Sequence, residues 1–173
     1  MSYRLVTMAA MSMIGEYLRV TPAELGRAVQ DPRWAYDYAQ EVLDSQEESD
    51  PDPLMSRCFS THKAWDYLGF LLRRSQFPVD IHGEQSFAED EDWGYGPPKA
   101  LPAERVRVAA EALRRTDYDG LVKGLEAADL FGVYPGVWDR PDAIEWGREV
   151  FDSLTLFIGA TAAAGDALLI WLD

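Results

Sequence analysis

Between Ala167 and Leu172 the chain runs Ala-Leu-Leu-Ile-Trp-Leu, with no ionisable group and no turn residue. The run is shorter than the ~10–12 residues of a buried helix, and a stretch apolar at every position offers no solvent face. It therefore reads as a strand at the centre of a sheet, covered on both sides. A strand of that kind commits the rest of the chain to supply the covering layers.

Helices are legible as those layers. Pro141 opens the longest one, in which Ile144, Gly147, Phe151, Leu154, Ile158 and Thr161 step by three and four, and Gly165 suits its C-terminal cap. Thr21-Pro22-Ala23-Glu24 is a capping box with proline at the first helical position. Asp31-Pro32 restarts a helix whose Trp34, Tyr38 and Val42 share a face. A further helix is expected over Thr61–Arg74 from Ala64, Trp65, Leu68, Leu71 and Leu72, and another from Pro102 burying Val106, Ala109, Ala110 and Leu113. A shorter one holds Leu121, Leu125 and Ala128, and Tyr134-Pro135-Gly136 forms a turn. Strands are expected over Met13–Val20, where Ile14, Glu16, Leu18 and Val20 share one parity, and over Phe77–His82, where Val79 and Ile81 alternate with Asp80 and His82. The expected fold is thus α/β (mixed α+β), with helices packed around a small mixed sheet of about four strands and the C-terminal strand central.

The length of 173 residues suits one domain, read here as 11–173 with Met1 to Ala10 as an N-terminal extension. Arg4 precedes an apolar stretch, but Glu16 and Arg19 arrive before any small-x-small cleavage site, so no secretory leader is assigned. No apolar run approaches the ~18 residues of a membrane span. Cys58 is the single cysteine and has no partner for an internal disulfide; together these features point to the cytoplasm. A net charge of −14 speaks against nucleic acid and anionic membranes, and leaves room for a basic protein partner. Two segments are read as acidic loops, Glu41–Asp52 with six acids and Glu84–Asp92 with five.

Familiar chemistry is hard to find. Gly94-Tyr95-Gly96-Pro97-Pro98-Lys99 has the glycines of a phosphate loop, but its prolines lack the N–H groups that hold phosphate, so a rigid turn is preferred. His62 and His82 are the only histidines, no HxxxH or CxxC spacing accompanies them, and no metal or cofactor is assigned. Cys58 and His62 are four apart, yet the helix is expected to begin after Cys58, which reads as an inert buried thiol. Glu16 on its apolar face and His82 at a strand end form one candidate acid–base pair. With Glu84, Tyr95 and Lys99 they make up the candidate binding set; the competing reading places Glu16 at the sheet edge and His82 in a turn.

Several segments jointly resemble the YfbM-like family, small bacterial proteins grouped as a domain of unknown function. They are Met11-Ser12-Met13-Ile14-Gly15-Glu16-Tyr17-Leu18-Arg19-Val20-Thr21-Pro22-Ala23-Glu24-Leu25, Lys63-Ala64-Trp65-Asp66-Tyr67-Leu68 with Phe70-Leu71-Leu72, Gly83-Glu84 with the acidic stretch after it, Gly94-Tyr95-Gly96-Pro97 and Val133-Tyr134-Pro135-Gly136-Val137-Trp138. Two departures are the ten residues ahead of Met11 and Leu101, which stands where a capping Thr or Ser is expected. The resemblance implies helices around a small mixed sheet and transfers no activity.

The leading expectation for function is a binding or interaction protein without chemistry of its own, one version being an immunity-like inhibitor of a basic protein. The alternative is a small-molecule binder or enzyme using a Glu16/His82/Glu84 pocket. Convergence of the five candidate residues on one concavity separates the two.

Overall fold

A computed structural model describes residues 12–47 and 52–173; the expectations for Met1 to Ala10 lie outside the described residues. Among these residues five strands form one sheet in the order β2-β1-β5-β4-β3. They are β1 (Gly15–Val20), β2 (Cys58–His62), β3 (Gln85–Ser86), β4 (Lys99–Leu101) and β5 (Ala167–Leu172). Every pairing is antiparallel. The apolar run from Ala167 to Leu172 is the middle strand: β5 pairs with β1 along all six residues and with β4 along three.

Among the described residues six α-helices surround the sheet: α1 (Pro22–Gln30), α2 (Pro32–Glu47), α3 (Trp65–Arg74), α4 (Ala103–Arg114), α5 (Tyr118–Val122) and α6 (Pro141–Ala163). The capping box forms as read, with the Thr21 side chain accepting from the Glu24 N–H and Glu24 accepting from the Thr21 N–H. The pleat of β1 and β5 sorts side chains between two cores. Tyr17, Leu168 and Ile170 join α3 to α6 in the larger core, while Leu18, Val20, Leu169 and Trp171 face α1, α2 and Trp93 in the smaller one. Both faces are covered, as a strand without a polar side requires.

Several expectations are corrected. Glu41 to Glu47 continue α2 because Val42 and Leu43 pack against the smaller core, so this part of the first acidic segment is helix and not loop, while residues 48–51 lie outside the described residues. Residues 58–62 form the edge strand β2 instead of helix, and α3 starts at Trp65. Phe77–His82 is irregular: Val79 and Ile81 are buried as their alternation implied, but no strand lies beside them. The sheet is completed instead by β3 and the three-residue β4, which sequence periodicity does not reveal. Leu125 is half-buried and Ala128 exposed; the short helix is α5, followed by a 3-10 turn over Ala127–Leu130.

Candidate functional site

A cleft of about 260 Å³ opens where β1, β5 and β4 meet the start of α3, on the larger-core face of the sheet. Its floor follows from register. Tyr17 pairs with Ile170 and Ile170 with Lys99, so these three side chains stand in one row on one face. Gly15 pairs with Leu172 in the next row. Trp65, at the first turn of α3, forms a wall, with its indole N–H donating to the Met13 carbonyl at 3.1 Å and its ring stacked 5.8 Å from Tyr134. Tyr95 and Pro97 close the other side.

His82 meets Trp65 edge to face at 5.6 Å, and its Nε2 lies 2.9 Å from the Trp65 carbonyl oxygen. A carbonyl only accepts, so Nε2 carries a proton and Nδ1 turns toward Asp80, 3.7 Å away. The ring fits only because position 69 lacks a side chain: a Cβ at Gly69 would lie 2.3 Å from His82 Cε1. Burial holds the imidazole below its ordinary pKa; the Trp65 carbonyl and Asp80 pull the other way, with Asp66 more weakly, and Arg73 assists burial.

The sign of that shift gives a prediction. A histidine whose folded pKa is depressed is neutral in the native state while the unfolded chain takes up the proton. Its contribution is present above the unfolded value of about 6.5 and declines as pH falls below it. The melting temperature is expected to drop between about pH 7.5 and 5.5, and His82→Gln to flatten that slope. An unchanged slope in the variant would assign the pH response to other groups.

Of the five candidate residues the fold gathers His82, Tyr95 and Lys99 in this cleft. Glu16 is not among them. It pairs across the sheet with Trp171, on the smaller-core face, and lines a separate groove with Gln46, Ser56, Cys58 and His62. The Glu16–His82 acid–base pair therefore does not form. Glu84 is held by Arg105 at 2.7 Å, which keeps its carboxyl below the usual range. The Cys58 thiol is pushed up to about 12, chiefly by burial and then by Glu16, and so is a poor nucleophile at neutral pH. His62 ends β2 at φ 49°, not in the first turn of a helix.

The glycine-rich turn is not a phosphate cradle. The Trp93 N–H donates to the Gly96 carbonyl, the Gly94 and Gly96 N–H groups to Asp92 Oδ1, and the Tyr95 N–H to the Leu172 carbonyl. Pro97 and Pro98 have none to give. Gly94 is required there: at φ 140° a Cβ would lie 2.6 Å from the Leu172 oxygen. Among the described residues no cluster of three or more His, Cys, Asp or Glu is placed to hold a metal ion. No helix among them is long and apolar enough to cross a membrane.

Sequence reading missed Trp65, Gly15 and Tyr17 as site residues, although the parity of β1 already set Tyr17 opposite Glu16. It also passed over Ser60-Thr61-His62-Lys63, which has Ser-x-x-Lys spacing. That spacing joins Ser and Lys on a helix. Here Ser60 lies in β2, accepts from the His62 N–H, and Lys63 is exposed.

An antiparallel sheet sandwiched by helices, with an aromatic cleft at one end, defines a small α/β domain. The chain belongs to the family described as "Domain of unknown function (DUF1877)", whose model matches residues 11–171. Among solved structures it is similar to the protein of unknown function YfbM from Escherichia coli. The likeness covers 92% of this chain and 99% of that one, at 17% identity and a TM-score of 0.59, and it shows the fold alone. No curated protein matches the chain.

Proposed function

We propose that this protein holds a small molecule in the Trp65–His82–Lys99 cleft and performs no chemistry on it. The observation that carries the reading is how the polar groups of His82 and Tyr17 are occupied. His82 Nε2–H is bonded to the Trp65 carbonyl, and the Tyr17 hydroxyl, fully buried, donates to the Ile81 carbonyl at 2.7 Å. Among the described residues no carboxylate side chain lines the cleft. A general base needs a free lone pair aimed at the substrate's proton; aromatic walls and one cation suit recognition instead.

A second reading has one supporting observation. Glu89, Asp90 and Glu91 are exposed beside the cleft's Tyr95 turn and make no ion pair with any described residue. They are the part of the acidic surface that a basic protein would meet, as an immunity-like inhibitor requires. One experiment separates the readings: purify the full chain at low salt from cells that make it, and analyse what high salt and then denaturant release. A small molecule released only by denaturant, chemically unchanged on incubation and missing from Trp65→Leu, is expected. Conversion of that molecule would refute the absence of chemistry. A basic protein leaving at high salt, with no small molecule, would favour the second reading.

A further inference from the structure

We infer that the molecule held in this cleft is a small, flat organic acid, its carboxylate set on Lys99 and its body against Trp65. The inference rests on the small-molecule reading above and adds the ligand's chemistry.

Lys99 stands apart among the cations. Arg19, Arg57, Arg73, Arg105, Arg115, Arg140 and Arg148 each have a carboxylate within ion-pair distance. The other described Lys and Arg residues are exposed, except Lys99, which is half-buried and has no carboxylate partner among the described residues. The root of its side chain lies against Gly83, which adopts φ 97° and where a Cβ would fall 2.5 Å from the Lys99 Cβ. A cation taken partly out of water without an anion is costly, and a ligand anion meets that need.

The same surroundings choose among anions. Phosphate is held by several N–H groups at once, and the neighbouring turn has none free between Trp93 and Pro98. The chain's charge of −14 also repels a dianion more than a monoanion. A carboxylate needs only the ammonium and one further donor, and the Tyr95 hydroxyl has no partner among the described residues. Beyond His82 and Tyr17, whose polar groups are bonded to backbone carbonyls, the cleft is apolar, with Ile170 and Leu172 below and the Trp65 indole alongside. A volume of about 260 Å³ lies just under the ~300–1,000 Å³ of drug-sized sites, so the body is no larger than one or two rings.

The test titrates the full chain with benzoate and indole-3-acetate against benzamide and phenyl phosphate, reading tryptophan fluorescence and the Trp65 indole N–H resonance. The acids are expected to bind at least ~10-fold more tightly than the amide. Lys99→Met should remove that preference and Lys99→Arg keep it, with the melting temperature of each variant confirming its fold. Equal binding of acid and amide, tighter binding of phenyl phosphate, an undiminished preference in Lys99→Met, or no binding of either acid at ~10 mM would each overturn the inference. Failure of the broader reading looks different: the protein purified from its own cells would release no small molecule at all.

Discussion

Removal of Ala167 to Asp173 is expected to leave no soluble, cooperatively folding protein. β5 is the one strand that joins the β2-β1 pair to the β4-β3 pair, so without it the sheet falls into two ribbons. Both cores lose side chains at once: Leu168 and Ile170 from one, Leu169 and Trp171 from the other, each no more than 3% exposed. At ~1.5–3 kcal/mol for each large buried side chain, the loss approaches the ~5–15 kcal/mol by which a domain is stable. Two new strand edges would also be open to aggregation. Expression of the truncated chain, followed by sedimentation and a circular-dichroism melt, checks this. A soluble product with a sharp transition would show that the sheet holds without its centre.

That prediction was legible in the sequence because β5 carries its own signal, and the same holds for α1 and α6. A capping box, a proline at the first turn and a long stripe of apolar residues are local facts, which neighbours need only accommodate. The short strands are different. Lys99-Ala100-Leu101 lies between Pro98 and Pro102 and is a strand only because β5 offers it a ladder. Three residues cannot show a period. Phe77–His82 presents the opposite case, a period without a partner strand: Val79 and Ile81 are buried beneath a loop whose Ile81 carbonyl is taken by the Tyr17 hydroxyl. The acids of α2 misled for a third reason. Glu and Gln are good helix formers, and the apolar Val42 and Leu43 between them anchor the helix whatever its charge.

The candidate site was half legible for related reasons. Parity along β1 separates Glu16, Leu18 and Val20 from Tyr17, but only the fold shows which face receives His82. That residue arrives on an irregular segment and is placed by a hydrogen bond to Trp65, seventeen positions earlier in the sequence. The glycine-rich turn makes Tyr95 and Lys99 visible as candidates in the sequence. They do line the cleft, though the turn's N–H groups serve the fold rather than a phosphate. What the sequence could not give is the row Tyr17, Ile170 and Lys99, which exists only once three distant segments are in register.

The second large effect is expected at Gly147, in the second turn of α6. Helix propensity alone says that Gly147→Ala stabilises by about 1 kcal/mol. The packing says the reverse. A Cβ at this position would lie 2.6 Å from Tyr67 Cε1 and 2.8 Å from the Tyr118 hydroxyl oxygen. Neither ring is free to retreat. Tyr67 is stacked on Trp138 at 3.8 Å, which is itself stacked on Trp146 at 5.7 Å. Tyr118 donates its one hydroxyl proton to the Ile144 carbonyl at 2.8 Å, so Tyr67 must be the donor in the 2.8 Å bond between the two hydroxyls. Moving either ring breaks a hydrogen bond where little water can replace it, at ~1–3 kcal/mol, and overpacking adds ~1–3 kcal/mol. Gly147→Ala is therefore expected to destabilise by ~1–5 kcal/mol net, and Gly147→Val by more than the alanine variant, read from urea midpoints at unchanged slope. Tyr67→Leu removes the ring edge that the new carbon strikes, so it should cost less in the Gly147→Val background than in the native chain. An alanine variant more stable than the native protein would show that α6 shifts away from α3 and α5 without strain, and that Gly147 is not what lets these helices approach.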